Sequence, residues 1–140
     1  MNIKNISISV LLLMVLVFTS CTKSKEEKLQ GQWERYNTSL NPFVVDTMQQ
    51  EMWYFDNGNL KIYSREASGA LKLNADLEYA MQVQKGRVAV VIQAKNSEDN
   101  NNPQLINAYL GSARIYQLTD TTLAMKGIET LIYYEFYRNK

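Results

Sequence analysis

Apolar residues recur at every second position over most of the chain, which is the spacing of half-buried β-strands. The clearest example is Ala75 to Gln84, where apolar residues alternate with polar or small ones. One face of such a strand packs on a core and the other faces water, as antiparallel sheets allow. No apolar stripe of helical period and useful length occurs. The pattern therefore predicts an all-β chain.

Turn signals divide this pattern into eight predicted strands. The strongest signal is Asp56-Asn-Gly-Asn59, because an Asn-Gly pair between strand-like runs accepts positive φ at both central residues. A second turn is predicted at Lys85-Gly86, and Asn96 to Gln104 is predicted to be an exposed polar loop. The predicted strands begin at Gln30, Met48, Leu60, Ala75, Arg87, Ser112, Leu123 and Leu131.

The short turns between successive strands predict an antiparallel meander. A meander of eight strands has two open edges unless its first and last strands pair. That pairing removes both edges and produces a small closed barrel. We therefore predict an eight-stranded antiparallel up-and-down β-barrel over residues 30–140. An open two-sheet sandwich would show the same strand pattern and stays as the alternative.

The first 20 residues have a different character. Lys4 precedes the apolar run Val10 to Phe18, which is shorter than the ~20 residues of a membrane-spanning helix and is typical of a signal peptide. Phe18-Thr-Ser-Cys21 follows, and it resembles the lipobox of bacterial lipoproteins, in which the cysteine is acylated and becomes the N-terminus. A plain secretory signal with an incidental cysteine is the alternative.

The lipobox resemblance implies how the N-terminal residues are divided and where the protein is located. Residues 1–20 would be the signal peptide, and residues 21–29 would be the lipidated cysteine and a polar tether. Acyl chains such as palmitate on Cys21 would attach the protein to a membrane. Thr22 is not the aspartate that favours retention in the inner membrane, so we expect the outer membrane, on its periplasmic or its cell-surface face.

Composition removes several classes of function. The formal net charge is +1, which lacks the basic surplus of a nucleic-acid-binding protein. The chain has one Cys and no His, so acylation of Cys21 would leave no ligand for a Cys/His zinc site and no His-activated nucleophile. No EF-hand-like loop and no phosphate-binding glycine loop occur. We expect no metal, no cofactor and no nucleic-acid partner.

Carboxylates on or beside the predicted strands are the remaining candidates for acid–base chemistry. Side chains of this kind mostly form the solvated face of a sheet. No serine lies in a nucleophile elbow. We therefore expect that the protein is not an enzyme. The carboxylates in question are Glu34, Glu51, Asp56, Glu78 and Glu135.

Gly31-Gln-Trp33 opens the first predicted strand, and Arg138 closes the last. This combination resembles the lipocalins and the compact lipocalin-like lipoproteins of Bacteroidetes, as do the Phe55 to Gly58 hairpin and the Tyr116 to Asp120 run. In that superfamily the Trp sits at the closed end of the barrel and the Arg packs across its ring. The resemblance implies that Gly31, Trp33 and Arg138 close this barrel.

The functional expectation is non-catalytic binding of a small apolar or amphipathic ligand inside the barrel. Pockets for such ligands are mostly apolar and aromatic, and barrel mouths are common places for them. The same side chains would also suit a filled core, in which case the loops or the outer face would bind an envelope protein or a glycan. The candidate ligand-binding residues are Trp53, Phe55, Tyr79, Met81, Tyr116, Tyr134 and Phe136.

Overall fold

A computed structural model describes residues 22–39, 51–95 and 103–138. Its eight strands form one closed antiparallel barrel, in which each strand pairs with its neighbours in sequence and β1 pairs with β8. The prediction of an up-and-down barrel is confirmed, and the β1–β8 pairing excludes the open sandwich. The strands are β1 Gly31–Ser39, β2 Glu51–Asp56, β3 Asn59–Arg65, β4 Leu71–Gln84, β5 Arg87–Ala94, β6 Gly111–Leu118, β7 Thr122–Gly127 and β8 Tyr133–Tyr137.

The signal peptide predicted at residues 1–20 and the lipidation site Cys21 lie outside the described residues. Most of the polar loop predicted from Asn96 onward also lies outside them. Within the described ranges, no helix is long and apolar enough to cross a membrane.

Within the part of the chain that the structure describes, two helices accompany the barrel and distinguish its ends. Residues 22–29 form helix α1, which leads into β1. The end of the barrel that carries α1 also carries the β2–β3, β4–β5 and β6–β7 turns, and we call it the α1 end. Helix α2, Pro103–Tyr109, lies in the connection from β5 to β6. It therefore belongs to the opposite end, with the β3–β4 and β7–β8 turns, which we call the α2 end.

The β2–β3 turn has the backbone conformation that its Asn-Gly sequence predicts. Asn57 has φ 45° and Gly58 has φ 87°, so both central residues adopt the positive φ that this tight turn needs. The turn prediction at this position is confirmed. Lys85 and Gly86 likewise have positive φ, at 51° and 73°, in the β4–β5 turn.

Alternation along the strands directs large apolar side chains into the barrel. In β2, Trp53 and Phe55 are buried while Tyr54 between them is exposed. Trp53 lies near the centre of an aromatic group, with its ring centroid 5.0 Å from that of Phe136 and 6.2 Å from that of Phe55. Trp33 is also fully buried. The part of the barrel interior nearer the α1 end is therefore a packed core.

Residues 22–29, predicted as a polar tether, are helical, and their last residue belongs to the core. Leu29 is fully buried. The adjoining Gln30 donates a hydrogen bond to the Tyr79 hydroxyl at 2.8 Å and accepts one from the backbone N–H of Asn57 at 2.8 Å. Residues 22–29 contain too few apolar residues to show an apolar stripe of helical period, so the sequence predicts a solvent-exposed segment.

Helix α2 corrects the sequence prediction, which had a loop to Gln104, a sixth strand from Ser112 and no helix between them. Its Ile106 and Tyr109 are buried, one helical turn apart. Seven residues are too few for a recognisable helical period. Pro103 at the first helical position was the available signal, because proline is favoured there.

Two predicted strand starts also shift. Strand β4 begins at Leu71 and not Ala75, and β8 begins at Tyr133 and not Leu131. Leu131 has φ 58°, which is a turn conformation and not an extended one.

Candidate functional site

The α1 end of the barrel is sealed by an Arg–Trp stack. The guanidinium carbon of Arg138 lies 3.9 Å from the ring centroid of Trp33. Arg138 Nη2 donates to the backbone carbonyls of Lys28 at 3.1 Å and Gln30 at 2.8 Å. The indole N–H of Trp33 donates to the carbonyl of Leu29 at 2.7 Å. The last residue of the described chain therefore holds the α1–β1 junction against the core.

Gly31 has an unusual backbone conformation at the α1–β1 junction. Its φ is 99°, a conformation that residues with a Cβ rarely adopt, and a Cβ here would lie 4.0 Å from Cζ of Arg138. Burial lowers the pKa of Arg138 from its ordinary value, and the nearby Asp120 opposes that shift. The contacts at this end hold β1, α1 and the end of the chain together.

The α2 end contains a buried polar cluster inside the barrel. Glu51 is only 4% exposed, and its carboxylate accepts three contacts. Arg35 Nη1 lies 2.6 Å from Oε2, the Trp53 indole N–H donates to Oε2 at 3.2 Å, and the Tyr109 hydroxyl donates to Oε1 at 2.5 Å. We call Arg35, Glu51 and Tyr109 the polar cluster.

Three separate elements bring the polar cluster together. Arg35 and Glu51 are direct partners in the β1–β2 register, so their side chains leave the two strands side by side. Tyr109 reaches the carboxylate from the end of α2. Its ring meets the Trp53 ring edge-on, with centroids 5.8 Å apart. The helix thereby ties itself to the barrel wall through one ring contact and one hydrogen bond.

Glu51 was expected on the solvated face of the sheet, and that expectation is wrong. The residue precedes Trp53 and Phe55 at alternate positions of β2, so the pleat that buries the two aromatic rings also points the carboxylate inward. Arg35 follows Trp33 in the same way. The alternation in both strands was the signal that could have revealed the pair. The other four carboxylates occupy outward-facing positions of their strands: Glu34, Asp56, Glu78 and Glu135.

Burial controls the ionisation of the phenols near this cluster. The pKa of Tyr109 is raised strongly, first by burial and then by the negative charge and hydrogen bond of Glu51. The pKa of Tyr134 is raised by burial, and the positive charge of Arg35 works against that shift. Both phenols are therefore neutral at physiological pH, and the O–H of Tyr109 donates its hydrogen bond to Glu51.

A cleft adjoins the polar cluster between α2, the start of β6 and the β7–β8 turn. It measures about 400 Å³ including its open mouth, and its water-accessible space is about 20 Å³, which is room for about one water molecule. The residues lining this α2-end cleft are Trp53, Ile92, Tyr109, Leu110, Gly111, Ser112, Ala113, Met125, Gly127, Glu129, Thr130 and Tyr134.

Two of the seven predicted ligand-binding residues, Trp53 and Tyr134, line this cleft, with ring centroids 5.6 Å apart. Phe136 lies beneath them, and its ring is stacked on that of Tyr134 at 6.5 Å. Phe55 is deeper, fully buried in the core. The structure therefore brings these four residues, with Tyr79 next to Phe55, into one aromatic group, in which Trp53 and Tyr134 line the cleft.

The other three predicted residues do not line this cleft. Tyr79 packs edge-on against Phe55 with ring centroids 5.1 Å apart, and Met81 is a half-buried side chain at the edge of the core. Tyr116 is 53% exposed on the outer wall, beside the guanidinium of Arg87. The sequence prediction did not include Arg35 and Tyr109, which the tertiary structure places at the cleft's end of the barrel.

The described residues contain no group of three or more His, Cys, Asp or Glu side chains that could hold a metal ion. The polar cluster has a single carboxylate, and its partners are a cation and a phenol. What it can do chemically is donate hydrogen bonds to a bound molecule through the remaining N–H groups of Arg35, whose side chain is 11% exposed.

Comparison with known proteins rests on the fold. No protein-family model and no curated protein sequence matches the chain. Among solved structures, it is similar to a lipocalin-like protein from Bacteroides uniformis, with TM-score 0.55 and 10% identity over 80% of this chain and 99% of that one. It is also similar to an uncharacterized protein from Bacteroides eggerthii, with TM-score 0.55 and 14% identity over 79% and 98% of the two chains. The chain therefore has a lipocalin-like fold.

Proposed function

We propose that this protein is a non-catalytic binding protein that takes a small amphipathic molecule at the α2 end of its barrel. The observation that carries the proposal is the buried Arg35–Glu51 pair beside an aromatic cleft. The apolar part of the ligand would contact Trp53, Met125 and Tyr134. Its polar group, a hydrogen-bond acceptor, would meet the N–H groups of Arg35.

The energetics of charge burial support a binding role for this pair. Removing two charges from water costs several kcal/mol per ion, and apolar residues of similar size often stabilise a core equally well. The stability of the fold therefore gives little reason for an ion pair buried at the α2 end of the barrel. Because Glu51 already neutralises the guanidinium of Arg35, no unpaired charge is buried when the site is empty. The remaining N–H groups of Arg35 can then donate hydrogen bonds to a polar group of the ligand.

Ligand entry requires the cleft to widen. Its water-accessible space of about 20 Å³ is far below the ~300–1,000 Å³ of typical ligand pockets. The element best suited to move is α2, because a helix of seven residues has little stability apart from its packing. In this proposal the ligand displaces the Tyr109 ring from Trp53.

The proposal includes the cell envelope as the place of action. Cys21 would be acylated and would hold the barrel at the outer membrane. Helix α1 starts the described chain at residue 22, at the end of the barrel opposite the cleft. An anchor at Cys21 would therefore attach the protein by its sealed end and leave the cleft on the far side.

A competing function is supported by the packing of the core. The rings of Trp53, Phe55 and Phe136 fill space that a ligand carrier of the usual kind keeps empty. With the interior filled, the loops or the outer wall would bind an envelope protein or a glycan. The experiment below separates the two functions, because only the first depends on the polar cluster.

The test uses the full chain purified in detergent. Organic extraction followed by mass spectrometry is expected to show a stoichiometric small molecule, and 1-anilinonaphthalene-8-sulfonate is expected to bind saturably with quenching of Trp fluorescence. The variant Arg35→Met/Glu51→Gln keeps an oxygen for Tyr109 and is expected to lose both signals. The control is Arg87→Met/Glu78→Gln, which makes the same two changes at exposed positions that are not partners of each other. Absence of both signals in the wild type, or equal signals in both variants, would overturn the proposal.

A further inference from the structure

The outer wall of the barrel carries a groove that the α2-end proposal does not use. It lies over β2 and β3 and has a volume of about 330 Å³. This value falls within the ~300–1,000 Å³ range of small-molecule pockets. We call it the outer-wall groove. Its lining residues are Tyr54, Asp56, Asn59, Lys61, Tyr63 and Lys95.

Strand register places two tyrosines on this wall. Tyr54 is the direct partner of Lys61 in the β2–β3 pairing, and Tyr63 is two residues further along β3 on the same face. Diagonal neighbours of this kind are ~7–8 Å apart, within reach of aromatic side chains. Tyr54 is 41% exposed although its neighbours Trp53 and Phe55 are fully buried. Two phenol rings thus flank one lysine on the outside of the barrel.

A buried carboxylate fixes the opposite side of the groove. Asp76 is the partner of Lys61 in the β3–β4 register and is 5% exposed, although alternation in β4 points it outward. Lys95 Nζ lies 3.4 Å from Asp76 Oδ1 and donates to Asn59 Oδ1 at 3.2 Å. These contacts hold the Lys95 side chain across β4 onto β3, so the wall of the groove is formed before any ligand arrives.

The charges at the groove nearly cancel. Of its lining residues Lys61 and Lys95 are positive and Asp56 is negative, and the ammonium of Lys95 is paired with Asp76 behind the lining. A site that selected an anion or a cation would show an excess of one sign. The balance favours an uncharged ligand that both donates and accepts hydrogen bonds.

We infer that the outer-wall groove binds an uncharged sugar of one or two rings. The flat faces of Tyr54 and Tyr63 suit the C–H faces of a pyranose, because an aromatic ring is electron-rich on its face. The carboxylate of Asp56 accepts hydrogen bonds from sugar hydroxyls, and the ammonium of Lys61 donates to their oxygens. Aromatic rings with mixed donors and acceptors, and no net charge, match the amphipathic chemistry of a saccharide.

Saturation-transfer NMR on the full chain tests this assignment, in a detergent without a sugar head group. The probes are maltose, cellobiose and N,N′-diacetylchitobiose, and at least one is expected to show saturable transfer. Tyr54→Ala and Tyr63→Ala should each weaken that binding by about tenfold or more. Tyr116→Ala removes an exposed tyrosine from another part of the wall and should leave it unchanged. Exposed substitutions of this kind seldom disturb folding.

Three results would overturn the inference. The first is no saturable transfer with any of the three sugars, and the second is binding that survives both tyrosine substitutions. The third is displacement of the sugar by inorganic sulfate, which would assign the groove to an anion bound by Lys61 and Lys95. The variant Arg35→Met/Glu51→Gln is expected to retain sugar binding, so failure of the α2-end proposal and failure of this one are distinguishable.

Discussion

The guanidinium of Arg138, in the last described residue, lies over the indole of Trp33 at the start of the barrel, with Cζ 3.9 Å from the ring centroid. The stack lies where β8 returns to β1, the pairing that turns a meander into a closed barrel. Arg138 adds hydrogen bonds to two carbonyls at the α1–β1 junction. The contact thus couples closure of the sheet to the position of α1.

Removal of either partner of this stack should destabilise the fold. Trp33→Ala is expected to cost roughly 3–5 kcal/mol because it empties a fully buried site. Arg138→Ala loses a cation–π contact worth ~0.5–2 kcal/mol, together with its hydrogen bonds. Urea unfolding of both variants and of the double variant should show that the double loses less than the sum. Additive losses would contradict coupling. Lys126→Ala, which removes an exposed cation–π pair with Tyr133, is the control and should have a small effect.

Breaking the polar cluster on one side should cost more than replacing both charges. Arg35→Met leaves the Glu51 carboxylate buried without its cation, which is expected to destabilise by roughly 3–5 kcal/mol. Arg35→Met/Glu51→Gln removes both charges and keeps an oxygen that accepts from Tyr109, so it should recover most of that loss. Chemical denaturation measures both variants. If the double variant were as unstable as the single one, unpaired charge would not be the cause.

Alkaline pH should destabilise the protein through Tyr109. Burial and Glu51 raise its folded-state pKa above the ordinary tyrosine value of 10.0, so the phenol is neutral in both states below pH 10. Above pH 10 the unfolded state releases the proton and the folded state retains it. Stability then falls with rising pH, by ~1.4 kcal/mol per pH unit for each such group, until the folded-state pKa is reached.

Urea unfolding between neutral and alkaline pH tests this account of Tyr109. Tyr109→Phe should be less stable than the wild type at neutral pH, because Glu51 loses a hydrogen bond. Its stability should also decline less steeply above pH 10. Tyr116→Phe, on the exposed outer wall, is the control. An unchanged slope in Tyr109→Phe would contradict the assignment of the alkaline loss to this phenol.

Attachment to the membrane should depend on Cys21, which is the one cysteine of the chain. Cys21→Ser is expected to abolish incorporation of labelled palmitate and to move the protein from the membrane fraction to the soluble fraction, because each buried methylene contributes ~0.8 kcal/mol. Thr22→Ser is the neighbouring control. Membrane partitioning by Cys21→Ser equal to that of the wild type would exclude a lipid anchor at this position.

Local patterns in the sequence were sufficient for the strands and turns, and they left the closed barrel and the open sandwich as alternatives. Period-two alternation depends only on the pleat of a strand, and the Asn57-Gly58 turn depends only on which residues accept positive φ. Closure followed from the cost of open edges, and β1–β8 pairing confirms it. Helix α2 escaped prediction because seven residues are too few to show a period, and the aromatic candidates could not be divided between core and cleft.

The sites depended on the tertiary structure. By itself the sequence determined where the chain is extended, where it turns and that its ends carry Trp33 and Arg138. Alternation in β2 could place Glu51 on the inner face, but it could not show what makes its burial possible: Arg35 supplies the opposite charge from β1, and Tyr109 donates a hydrogen bond from α2. The groove likewise exists because strand register sets Tyr63 beside Tyr54. Contacts between residues distant in sequence form both the polar cluster and the outer-wall groove, and a local sequence pattern does not predict such contacts.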